Sequence, residues 1–123
     1  MRLILLATAL LLAASAKLQA TEALMFYGAG YTLYILIGDG DRGSTVAQVR
    51  FTPPGAKDWI AVPREQLKIE KFDEQKQVLI MHFTNQKKDP TLPPSFSFTA
   101  KKKKAVLSVD GKKITSSFNW LDE

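Results

Sequence analysis

The chain carries one histidine, His82, and no cysteine, so any acid–base or nucleophilic chemistry has few residues to draw on. His82 stands between Met81 and Phe83 in an alternating apolar segment. A general base is more useful at a strand end or loop, where substrate can approach it. No serine lies in a G-x-S-x-G elbow or an S-x-x-K arrangement, the local settings that activate a hydroxyl. Glu70, Asp73 and Glu74 cluster around a turn, where acids are ordinarily solvated. The expectation is a non-catalytic protein. A small hydrolase using His82 and these carboxylates is the weakest of the alternatives.

Metal chemistry is similarly sparse. One imidazole and no thiol argue against zinc. The stretch from Asp39 through Gly40, Asp41, Arg42, Gly43 and Ser44 to Thr45 faintly resembles the start of an oxygen-ligand calcium loop. It lacks a third acid, and Arg50 stands where a bidentate glutamate would be. A glycine-rich hairpin turn accounts for the same residues, and neither metal nor cofactor is expected.

Two groups of residues could instead bind. Lys101, Lys102, Lys103 and Lys104 form an uninterrupted run, with Lys112 and Lys113 following. Lysine projects a hydrated, diffuse charge rather than the planar fork that grips phosphate or carboxylate in two places. The run therefore suits an anionic surface such as lipid headgroups, polysaccharide or an acidic protein, although edge-strand lysines also serve to block aggregation. Tyr27, Tyr31 and Tyr34 surround Gly28 and Gly30 and could stack against a sugar ring or base. A strand kink with half-buried aromatics would place them equally well. Tyr27 and Tyr31 share parity; Tyr34 does not.

The elements that must hold these residues read as β throughout. Short β-branched and aromatic segments alternate with turn residues, the pattern of an antiparallel sandwich or small barrel of about seven or eight strands. Segment 24–27 opens the series and ends at Gly28-Ala29-Gly30. Segment 31–37 is apolar on both faces and is expected to be central and covered on each side. Segment 45–51 places Ala47, Val49 and Phe51 inward, with Gln48 and Arg50 outward. Residues 59–62 form an edge, and 63–66 one helical turn. Segments 67–72 and 77–83 pair as a hairpin, with Leu79, Met81 and Phe83 on one face. Residues 84–94, with Pro90, Pro93 and Pro94, form the longest exposed loop. Phe96 and Phe98 alternate with serines. Asp110-Gly111 favours a tight hairpin that sets Val109 opposite Lys112, Ser108 opposite Lys113 and Leu107 opposite Ile114. In that register Lys112 and Lys113 mark one end and the run 101–104 the other.

Before all this comes a leader. Arg2 precedes an apolar run over residues 3–14, too short for a membrane span, and cleavage is expected after Ala16 or Ala20. The resulting division is a signal peptide over 1–20 and one β domain over 21–123, without a transmembrane segment in the mature chain. Absence of cysteine removes both disulfides and a thioether-linked lipid anchor. Charge is uneven: residues 67–123 hold eleven lysines against seven acids. The expectation is a periplasmic or secreted binding module that engages an anionic envelope component or a protein. Nucleic acid is disfavoured by the exported address and the lack of arginine in the run. The main alternative is an inhibitor or immunity-type protein that blocks its partner through loop 84–94.

Overall fold

The computed structural model describes residues 20–40 and 43–120. The expected leader, apart from Ala20, lies outside them, as do Asp41 and Arg42 of the glycine-rich turn. The described residues form two antiparallel sheets packed as a sandwich. The first contains β1 (Ala20–Gly28), β2 (Tyr31–Gly40), β3 (Gly43–Thr52) and β4 (Ile60–Val62) in that order. A single 3-10 turn, Arg64–Gln66, leads into the second: β5 (Leu67–Asp73), β6 (Val78–Thr84), β7 (Ser95–Lys101), β8 (Lys104–Val109) and β9 (Lys112–Ser117). The described residues hold nine strands, against the seven or eight expected. Each sheet is one uninterrupted meander, because every connection within it is short enough to join antiparallel neighbours.

The inner faces meet in an aromatic core. Phe26 and Phe98 pack edge-on at 5.4 Å, and Phe51 stacks on Phe96 at 5.7 Å. Phe118 bridges Phe98 and Trp120 at 5.7 and 5.4 Å. Leu79, Met81 and Phe83 point into this core as the alternation requires. Burial of such rings supplies the principal driving force in a protein without cross-links.

Two expectations fail for definable reasons. Segment 31–37 is central, between β1 and β3, but only its inner face is covered: Tyr31, Leu33, Ile35 and Ile37 are buried while Tyr34 is exposed. Ala47 faces outward and Val46 inward. The pairing runs Leu36 with Gln48 and then Ile37 with Val46, so Ala47 is the extra residue of a β-bulge. One inserted residue reverses the parity of everything beyond it.

Gly28-Ala29-Gly30 is a hairpin rather than a kink. Gly28 pairs with Tyr31 across Ala29 and Gly30, both with positive φ, at 51° and 87°. The Asp110-Gly111 turn adopts positive φ at both residues, and its register matches the expected pairs.

Candidate functional site

The outer face of the five-stranded sheet gathers the polar chemistry. Its registers align Lys68, His82, Ser97, Ser108 and Lys113 in one row across all five strands. The His82 ring is held at both nitrogens. Nδ1 lies 3.0 Å from Ser97 Oγ, and Nε2 lies 2.7 Å from Glu70 Oε1. A neutral ring donating from Nε2 to the carboxylate would accept the Ser97 hydroxyl at Nδ1.

Glu70 reaches His82 through a second bulge. Lys71 pairs with Ile80 and Ile69 with Met81, which leaves Glu70 as the unpaired residue between them. Regular pairing carried on from the β5–β6 turn would have set Glu70 opposite buried Met81 and directed a carboxylate into the core. The bulge keeps Ile69 packed against the core and turns Glu70 outward. Sequence reasoning placed Glu70 and His82 on adjacent strands and grouped His82 with nearby acids, but it did not single out Glu70 or include Ser97, because the bulge leaves no compositional mark.

Beside this trio a groove of about 370 Å³ runs over β7, β8 and the β8–β9 turn. Ser95, Ser97 and Ser108 line it, together with Lys112 and Lys113 at one end. Asp110 adds a carboxylate to the lining, and hydroxyls beside charges of both signs suit sugar hydroxyls. Ser97 stands mid-strand between β6 and β8, whose ladders occupy the backbone amides that might otherwise stabilise an oxyanion.

The lysine run forms the opposite end of the same sheet. Lys101 pairs with Lys104, and Lys102 and Lys103 are the two turn residues between β7 and β8. All four are exposed. Their backbone is held: Lys102 N donates to Gln77 O at 2.9 Å, Phe118 N to Lys103 O at 2.8 Å, and Trp120 Nε1 to Lys102 O at 2.7 Å. Lys112 and Lys113 lie at the other end, beside Asp110-Gly111.

The tyrosines separate. Tyr31 is only 4% exposed and its ring packs on Phe51, so it presents nothing to a partner. Its inward direction follows from pairing with Gly28, since cross-strand partners share a face. Tyr27 and Tyr34 share the outer face with Met25, and the three are 63%, 38% and 56% exposed. Equal parity in sequence misleads here because the hairpin turn lies between Tyr27 and Tyr31.

Loop 84–94 is fastened. Asn85 Nδ2 reaches the carbonyls of Asp89, Leu92 and Pro93 at 2.9, 3.3 and 3.2 Å, while Asp89 N donates to Asn85 Oδ1 at 2.9 Å. Leu92 is buried. Lys87 N donates to Gln66 Oε1 at 3.0 Å, which ties the loop to the 3-10 turn. Thr91 donates to Asp89 Oδ1 from both N and Oγ1, and these bonds hold the Asp89 carboxyl below its ordinary range.

Around Asp39, Gly40 pairs with Gly43 in the expected hairpin, and no group of three metal-ligating side chains occurs among the described residues. No helix among them is long and apolar enough to cross a membrane. The fold and surface define a two-sheet β-sandwich with a cationic, hydroxyl-bearing sheet. Family models, curated proteins and solved structures each yield no match to the chain.

Proposed function

We propose that this protein is an exported, non-catalytic binding module whose lysine turn engages an anionic component of the cell envelope. The observation that supports it most is the latched backbone of residues 101–104. Four adjacent ammonium groups stand on a turn already held by Gln77, Phe118 and Trp120. Docking on such a turn loses less conformational freedom than ordering a flexible basic tail. Each lysine near an anionic surface contributes about 1 kcal/mol at moderate ionic strength. The apolar leader supports a periplasmic or secreted location. For Ser97 and His82, a binding role accords with the strand ladders on both sides of β7, which occupy the backbone amides beside Ser97.

Co-sedimentation of the mature protein with its native envelope fraction, at low and high salt, tests this reading. Replacement of Lys101, Lys102, Lys103 and Lys104 by glutamate should weaken association and flatten its salt dependence. Association indifferent to both reversal and salt refutes it.

The fastened loop favours a second reading, inhibition of a partner by insertion of residues 86–91. A loop stiffened by Asn85 and by Pro90 and Pro93 is preorganised for docking. Replacing 86–91 with a short glycine linker should abolish partner binding under this reading and spare it under the first.

A further inference from the structure

The other sheet presents a surface of different character. On its outer side the registers include three adjacent rows: Ala23–Leu36–Gln48, Met25–Tyr34–Arg50–Ala61, and Tyr27–Thr32–Thr52. No acid occupies any of these positions. Arg50 is the single charged residue among them.

Arg50 is held in place from two directions. Its guanidinium carbon lies 4.1 Å from the centre of the Trp59 ring, a cation–π contact. Its Nε donates to Gln48 Oε1 at 2.9 Å. The terminal nitrogens have no acceptor among the described residues. A stacked and tethered guanidinium with free terminal donors is preorganised to take a carboxylate in two places. The sheet face itself supplies no counter-charge.

Aromatic surface adjoins this fork on the same plane. Tyr34 is the direct cross-strand neighbour of Arg50, and Tyr27 stands one inter-row step away on β1. Trp59 is 51% exposed. Thr32, Thr52 and Ala61 are short, so rings and fork project above them. Apolar rings with polar tips, arranged flat around one unpaired cation, match a ligand that is itself flat, ringed and anionic.

We propose that this face binds an acidic polysaccharide. Pyranose rings would lie on Tyr27 and Tyr34, and a uronate carboxylate would pair with the terminal nitrogens of Arg50. An acidic peptide fits less well. Peptides dock by extending a sheet edge or by filling pockets, whereas Tyr34 and Arg50 stand on the two inner strands, β2 and β3, and present a flat face. This inference is independent of the lysine turn, which lies on the other sheet.

Calorimetric titration with oligogalacturonate tests it, with the fully methyl-esterified oligomer and an oligoglutamate peptide as controls. The acid oligomer should bind and should shield Trp59 from acrylamide, Trp120 being buried and insensitive. Methyl esterification should weaken binding at least about tenfold, as should Arg50→Lys, which keeps the charge but loses the fork. Tyr34→Ala should also weaken it about tenfold, while its thermal unfolding, measured alongside, should stay a single cooperative transition that leaves the variant folded at the assay temperature. Glutamate replacement of the lysine run should leave acrylamide shielding by the ligand intact. No binding, equal binding of ester and acid, or equal binding of oligoglutamate would each overturn the proposal. So would affinity that survives Arg50→Lys and Tyr34→Ala but vanishes on lysine reversal, an outcome that would assign the acid oligomer to the lysine turn.

Discussion

Tyr31 Oη donates to Asp110 Oδ2 at 2.8 Å, joining β2 of one sheet to the β8–β9 turn of the other across 79 residues of sequence. The bond closes one end of the sandwich with a charged acceptor, the stronger kind of hydrogen bond. Accepting from the phenol while carrying a negative charge, Asp110 raises the Tyr31 pKa above 10.0, and burial adds to the shift.

The first prediction concerns alkaline stability. A phenol whose pKa is raised on folding keeps its proton in the native state after the unfolded chain has lost it. That contribution is therefore complete below pH 10 and declines as pH rises through the native value. Urea unfolding across this range should show the decline in the parent and not in Tyr31→Phe. The variant should also lose about 1–2 kcal/mol at neutral pH.

Gly28 gives a packing prediction. A Cβ at this position would meet Ile114 Cγ2 at 2.8 Å, where β1 passes β9. Gly28→Ala should cost about 1–3 kcal/mol by overpacking. Combining it with Ile114→Leu, which lacks the offending branch methyl, should recover part of that loss. Additive destabilisation in a double-mutant cycle would contradict the contact.

Asn85 should behave as the fastening of its loop. Asn85→Ala removes side-chain bonds to Asp89, Leu92 and Pro93 and should cost about 2–3 kcal/mol. Limited proteolysis should then cut within 86–91 faster than in the parent.

The lysine turn carries a backbone cost. Lys102 has φ at +54°, a conformation that disfavours any side chain with a Cβ. Lys102→Gly should therefore stabilise the fold by about 1 kcal/mol in thermal or urea unfolding while removing one charge. Higher stability together with weaker envelope association would separate the strain from the proposed charge effect in a single variant.

These positions show which features a sequence reveals. Asp110-Gly111 declared its hairpin because a two-residue turn of that type determines both φ signs and the register of both arms. Phe96 and Phe98 declared their inward face by alternating with serines. Ala47 and Glu70 did not, since a bulge shifts parity without a characteristic residue to announce it. The His82–Glu70–Ser97 cluster depended on one such bulge, so grouping His82 with nearby acids in sequence did not single out Glu70 or reach Ser97. The contact between Arg50 and Trp59 was half visible: alternation put Arg50 outside, but nothing local indicates where a tryptophan after Pro53-Pro54-Gly55 returns.

Because each sheet is a continuous stretch of chain, the 3-10 turn at Arg64–Gln66 is a natural seam. Division of the polypeptide there severs no strand pairing and leaves two pieces, each with one greasy side that only the other covers. Separately expressed halves should consequently be sticky and poorly structured alone, yet reassemble on mixing. The molecule could then serve as a split reporter, its recovered fold signalling that two fused partners have met.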